Sequence, residues 1–335
     1  MDARVAIEAS VHCCETGYCW VDADVTPYGT NRLIGEGDMR SERCRFLVDE
    51  PFFSGVNFES SFLHPSTRPL DDRDTALFRR FTRLDATEQQ IVDFASTHGR
   101  LSSVHWLGIF TSPDGRHTSG TGDRLADWQF QILWLRHWVT IWDLADKPKQ
   151  LGEYLDALPR GRDPEVPEQF VQPYWSRADS RDLARSVAGD KISDRDLARN
   201  AKRHVCLAIS EQLRDAPDLT EVKLELRYSD EAGSGAFRVA SLELQTALWL
   251  QFATAVTENK QFRSCPQCGT PFEVTPELNR TSRVFCKETC KLKAFRLRKR
   301  EALRLHQKER TLKQIADVLE TEVSKVRGWI KNKGR

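Results

Sequence analysis

Apolar residues along this chain recur first with a helical step. From Asp74 onward, Leu77, Phe78, Phe81 and Leu84 share one side of a helix, as the buried face of an amphipathic segment should. Thr87-Glu88-Gln89-Gln90 has the form of a capping box and opens a helix through Ile91 and Phe94, with Gly99 as its stop. Trp128, Ile132, Leu135, Val139 and Trp142 then recur at steps of four, three, four and three, which predicts another buried helix face. The four tryptophans there (Trp128, Trp134, Trp138, Trp142) read as core packing rather than an aromatic ligand cage. Further helices are expected over Asp194 to Leu213 and over Leu242 to Val256, the most apolar helix of the chain, with Leu244, Leu248, Trp249 and Phe252.

Between these segments the step shortens to two. Val222, Leu224, Leu226 and Tyr228 alternate with charged residues, and Gly233-Ser234-Gly235 leads into Phe237-Arg238-Val239, the pattern of an antiparallel hairpin. Residues 1–70 carry short apolar runs, Arg45-Phe46-Leu47-Val48 and Pro51-Phe52-Phe53, among turn residues such as Pro27-Tyr28-Gly29, and read as strands and loops. Ser112 to Gly122 reads as a turn-rich interval, and Pro159 to Pro173 as a linker or long surface loop. The expected class is α+β: a mainly helical N-terminal body with a small antiparallel hairpin, then a treble-clef-like zinc finger and a C-terminal helix-turn-helix. The expected domains are a mixed region 1–70, an acidic helical domain 71–260 for sensing or dimerisation, a four-cysteine finger with a basic helix 261–300, and a helix-turn-helix 301–335.

Charge sharpens this division. The whole chain carries +1, yet residues 260–335 hold 20 lysines and arginines against 8 aspartates and glutamates, a balance of +12. The preceding residues hold 30 against 41, or −11. A dense basic tail on an acidic body is the electrostatic footprint of a polyanion binder. No basic leader precedes an apolar run, and no stretch of about eighteen apolar residues occurs, so a cytoplasmic protein without membrane contact is expected. An odd total of nine cysteines fits a reducing compartment.

Four of those cysteines form two close pairs, Cys265-Pro266-Gln267-Cys268 and Cys286-Lys287-Glu288-Thr289-Cys290, with seventeen residues between them. Pairs this close at this separation suit one Zn²⁺ held by four thiolates better than disulfides. With four protein ligands no coordination position is open, so the zinc is expected to be structural. Phe272 and Val274 are expected to pair with Val284 and Phe285 across Thr275–Ser282 to shield the metal, and Cys286 and Cys290 to sit at a helix start where positive amides favour thiolates.

In the helix after Cys290, with Leu292 and Phe295 turned inward, Lys293, Arg296, Arg300 and Arg304 line one face as a ridge that can follow a phosphate backbone. Thr311-Leu312-Lys313-Gln314 caps the next helix. Its residues Ile315 and Ala316 cross a second stripe of Val323, Val326 and Ile330, with Leu303 as a third wall. This resembles the helix-turn-helix of bacterial regulators, which places Ser324, Lys325, Arg327, Gly328 and Lys331 on or near the exposed side of a recognition helix. The turn has Glu320 where glycine is usual.

Leu125-Ala126-Asp127-Trp128, Ile141-Trp142-Asp143, Leu248-Trp249-Leu250-Gln251-Phe252 and the run from Cys265 to Lys291 together resemble a family of uncharacterised bacterial proteins. Those proteins join an acidic, tryptophan-bearing helical domain to a C-terminal zinc finger, often near a helix-turn-helix. The finger is also similar to CGNR-type fingers, although Cys290-Lys291-Leu292-Lys293 stands where they carry Cys-Gly-Asn-Arg. The resemblance implies a zinc-dependent transcription regulator.

The expected partner is therefore double-stranded DNA, with a homodimer, a small-molecule effector or a protein partner served by the N-terminal domain. The alternative is a zinc-stabilised module that binds protein or RNA without reading a DNA sequence. An enzyme is not expected. His12-Cys13-Cys14 and Cys19 lack matched ligand spacing, His98, His105 and His117 have no paired nucleophile, and the chain has neither a phosphate-binding glycine loop nor a His-Glu-x-x-His helix.

Overall fold

A computed structural model describes residues 5–6, 10–13, 18–27, 42–49, 66–69, 76–101, 106–111, 117–158, 193–214, 223–229, 234–240, 244–274 and 282–331. The chain divides into two compact units, Met1–Asn259 and Lys260–Arg335. Mixed helix and small antiparallel sheets make up the architecture, and no described helix is long and apolar enough to cross a membrane.

The first unit holds more β-structure than the sequence pattern announces. Strands β3 (Tyr18–Pro27), β4 (Glu42–Asp49), β6 (Trp106–Thr111) and β7 (His117–Arg124) close a barrel in the order β3-β4-β7-β6. Alternation drives β3 and β4: Cys19, Val21 and Ala23 pack with Cys44, Phe46 and Val48 on one face, while Leu47 on the other is equally buried. The interval expected to be a turn is in its second half strand β7. There Gly122 makes closure feasible, because a Cβ at this position would lie 2.1 Å from the Leu47 carbonyl oxygen.

The expected hairpin forms as β8 (Lys223–Ser229) against β9 (Ser234–Ala240), and the short β1 (Val5–Ala6) extends it in parallel. A further pair joins β2 (Ser10–Cys13) to β5 (Ser66–Pro69). The expected linker at 159–173 and residues Cys14, Pro51-Phe52-Phe53 and His105 lie outside the described residues.

Helices supply the core of this unit: α1 (Leu77–Phe81), α2 (Glu88–His98), α3 (Leu125–Leu144), α4 (Pro148–Asp156), α5 (Asp194–Arg214) and α6 (Leu244–Thr257). Thr87 caps α2 by accepting from the Gln90 amide, but the Gln90 side chain bonds Asp85 instead of returning to Thr87, so the box is half made. Helix α3 is buried well beyond the expected stripe, since Trp134 and Trp138 are as enclosed as Trp128. Phe78 stacks on Phe252 at 5.5 Å and Phe81 meets Trp128 at 6.0 Å, which joins α1 to both α6 and α3.

The second unit begins with β10 (Phe262–Ser264) and β11 (Pro271–Glu273), antiparallel around the first cysteine pair. It continues through α7 (Glu288–Gln307), α8 (Leu312–Val318) and α9 (Val323–Lys331). Ala302, Ile315, Ala316 and Val326 are the buried centre of these three helices, wrapped by Leu305, Leu312, Leu319, Trp329 and Ile330. Ala302 and Leu305 thus form the wall expected of Leu303. The small side chains of Ala302 and Ala316 let the helix axes approach closely. Thr311 and Gln314 make a complete capping box for α8.

Candidate metal centre and basic helical surface

The two cysteine pairs converge. Cys265, Cys268, Cys286 and Cys290 place their sulfurs within 4.8 Å of one another, and this is a group that can hold one metal ion. The distances are 3.4 Å from Cys268 to Cys286, 3.6 Å from Cys268 to Cys290 and 3.7 Å from Cys286 to Cys290. A tetrahedral centre with thiolate bonds of about 2.3 Å spaces its sulfurs about 3.8 Å apart, whereas a disulfide requires about 2.05 Å. The spacing is compatible with a coordination shell and too long for disulfide bonds.

Local structure explains the convergence. The Gly269 amide donates to the Cys265 carbonyl at 2.8 Å and the Cys265 amide to the Thr270 carbonyl at 3.0 Å. This tight turn is closed by Gly269 at φ +72°. Cys286 lies just before α7 and Cys290 in its first turn, where free amides favour negative sulfur.

The four thiols differ in how readily they ionise. Burial pushes the Cys265 thiol up, but backbone amides of Cys286, Gln267 and Cys268 outweigh it and bring it down to about 6. Burial likewise opposes ionisation of Cys268, and the Thr270 hydroxyl 3.2 Å away helps to reverse it. Cys286 is pushed upward by burial and Cys290 by the neighbouring Cys268 sulfur. Two thiols thus favour the anion and two resist it, and a cation held among them would favour the anion at all four.

The shielding hairpin differs from expectation. Strand β11 pairs with β10 across the cysteine turn, and Val284 and Phe285 belong to no strand, with Val284 52% exposed. Residues 275–281 of the expected connection lie outside the described residues. Phe272 and Val274 pack with Cys265 and Cys286, and Phe285 and Cys290 flank them.

Arg283, which no motif flagged, braces this packing. It donates to the carbonyls of Phe285 at 2.9 Å and of Cys286, and its guanidinium lies 5.2 Å from the Phe272 ring centroid. At the base of the unit Lys260 pairs with Glu273 at 3.6 Å, with side chains only 12% and 2% exposed. A lysine before the cysteine turn and a glutamate in β11 carry no local signal of being partners; only the strand pairing brings them together.

On α7, Lys293, Arg296, Arg300 and Arg304 are all exposed. Arg304 is held by Glu301 at 2.6 Å, which offsets its charge locally. Leu292 and Phe295, expected to turn inward, are 46% and 48% exposed. The helices after α7 pack mainly on Ala302 and Leu305, and Trp329 reaches Phe295 at 5.8 Å without burying it. On α9, Ser324, Lys325, Arg327 and Lys331 are exposed and Gly328 is half-buried. Glu322 engages two of them, accepting from Ser324 at 3.1 Å and pairing with Lys325 at 3.5 Å.

Comparison with family models, with curated proteins and with solved structures gave no match to the chain.

Proposed function

We propose that Lys260–Arg335 is a zinc-stabilised unit that binds duplex DNA, and that the chain is a bacterial transcription regulator. In this reading the four cysteines hold one structural Zn²⁺ in a treble-clef-like finger, and α8 and α9 are a helix-turn-helix whose second member enters the major groove. The single observation that carries the reading is the convergence of four sulfurs at the foot of a helix whose exposed face bears Lys293, Arg296 and Arg300.

Each part has a distinct task. Lys293, Arg296, Arg300 and Arg304 contact phosphates and set affinity, while Ser324, Lys325, Arg327 and Lys331 lie where base edges and flanking phosphates are read. The acidic unit before Lys260 serves for sensing an effector, pairing with a second copy or holding a protein partner.

The test is duplex binding by the full chain across a salt series. Affinity should fall steeply between about 50 and 200 mM salt. Replacing Lys325 and Arg327 by glutamine should weaken binding, and removing 260–335 should abolish it. Binding that survives that deletion defeats the proposal. One observation favours a second reading: Leu292 and Phe295 stand exposed beside the cations, a surface suited to a protein or unstacked RNA bases. Competition between duplex DNA and RNA separates the two.

A further inference from the structure

The four sulfurs of the cluster are not equivalent. Cys265 and Cys286 are buried, whereas Cys268 is exposed and Cys290 only partly covered. The two outer sulfurs are 3.6 Å apart, in the turn and in the first turn of α7. Among the described residues, a Cβ at Gly269 beside Cys268 would meet nothing within 4 Å, so that side of the turn is open. Lys287, Lys291 and Lys293, next to Cys290 in sequence, are all exposed, so the side of the cluster that Cys290 occupies is open to solvent.

We propose that Cys268 and Cys290 are an oxidant-sensitive pair through which peroxide opens the metal centre reversibly. The proposal rests on the reading of a metal-loaded cluster. The Cys268 thiolate attacks hydrogen peroxide; the O–O bond breaks, an S–O bond forms, and hydroxide leaves to become water with a proton from solvent. Cys268 is then a sulfenic acid, its sulfur oxidised by two electrons as the peroxide is reduced. The Cys290 thiolate attacks that sulfur; the S–S bond forms, the S–O bond breaks, and the second hydroxide takes a proton. Two thiolates, one peroxide and two protons thus give one disulfide and two waters.

The ion loses two of its four ligands in this step, and Cys265 and Cys286 alone cannot retain it. Metal loss carries structural loss, because binding free energy in such a unit is folding free energy. Cys265 and Cys286, shielded by Phe272 and Val274, survive as thiols, so a reductant restores all four ligands.

The experiment treats full-length, metal-loaded protein with graded hydrogen peroxide and follows released metal, remaining thiols and cross-linked peptides. One equivalent of metal should appear as two thiols disappear, digestion should yield a Cys268–Cys290 cross-linked peptide, and a dithiol should reverse both. Cys290→His keeps four ligands and removes the resolving thiol, so it should release metal at least about tenfold more slowly. A cross-link confined to Cys265 and Cys286, or sulfinic acid without any disulfide in the wild-type chain, overturns the proposal. Protein that carries no metal before oxidant is added sinks the underlying reading, and the pairing with it.

Discussion

Glu320 repeats, one helix later, the backbone conformation of Glu309. Both adopt left-handed φ values, +46° and +58°, and both close a helix by the same double bond pattern. At the end of α8 the Thr321 amide donates to Ala316 and the Glu320 amide to Asp317; at the end of α7 the Arg310 amide donates to Leu305 and the Glu309 amide to His306. This is the C-terminal motif that favours glycine. In both places the chain supplies an acid, which also sits unfavourably at the negative end of the helix dipole.

Glu320→Gly should therefore stabilise the second unit by about 1 kcal/mol, and Glu309→Gly by a similar amount, since the left-handed region costs a residue with a Cβ roughly that much. Thermal unfolding of the metal-loaded chain measures it. A lowered midpoint in both variants would contradict the assigned backbone.

Gly328 invites the opposite exchange. It lies inside α9 at no special φ, and a Cβ there meets nothing within 4 Å. Gly328→Ala should stabilise by about 1 kcal/mol. If duplex binding also weakens while stability rises, the open space above Gly328 is where DNA approaches.

Chelation should act on one unit alone. The packing of Phe272 and Val274 depends on the cluster they cover, so removing the metal should expose amides of 260–335 to hydrogen exchange while α3 and α6 stay protected. Cys265→Ser should reproduce the effect. Equal loss of protection in both units would contradict independent folding.

Acid should weaken the first unit. Burial holds His137 down to about 3, and burial with the neighbouring charge of Arg80 holds His98 down to about 4, from an ordinary 6.5. Below 6.5 the unfolded chain gains two protons that the fold refuses, so stability falls as pH drops toward 4. Asp123 acts the other way: burial raises it from 3.8 to about 7, so its folded form keeps a proton across that window and its contribution falls as pH rises. Two histidines outweigh one carboxyl, giving a net loss on acidification. Eight of the nine tryptophans lie before Lys260, so tryptophan emission in urea reports this unit. The midpoint should fall from pH 7 to 5, and fall further for Asp123→Asn, whose amide oxygen can still accept from the Leu101 amide and Trp128 Nε1. A midpoint that rises toward pH 5 would refute the assignment.

The sequence shows most clearly what is local. Helix spacing around Trp128, the Thr311 capping box and the paired cysteines are all set by residues within a few positions of one another. The barrel was hidden because its strands close through non-local pairs, such as Phe46 with Arg124 and Asp24 with Ile109, and because β7 (His-Thr-Ser-Gly-Thr-Gly-Asp-Arg) is built of residues that ordinarily make turns. Leu292 and Phe295 misled for the reverse reason. Their helical spacing signals a buried face, yet both stay about half exposed, with the Trp329 ring 5.8 Å from Phe295 at 80°.

The most direct test is X-ray absorption at the zinc edge of the purified full-length protein. The account predicts one zinc per chain with a single shell of four sulfurs at about 2.3 Å. Absence of zinc, or a shell dominated by nitrogen or oxygen, would contradict it.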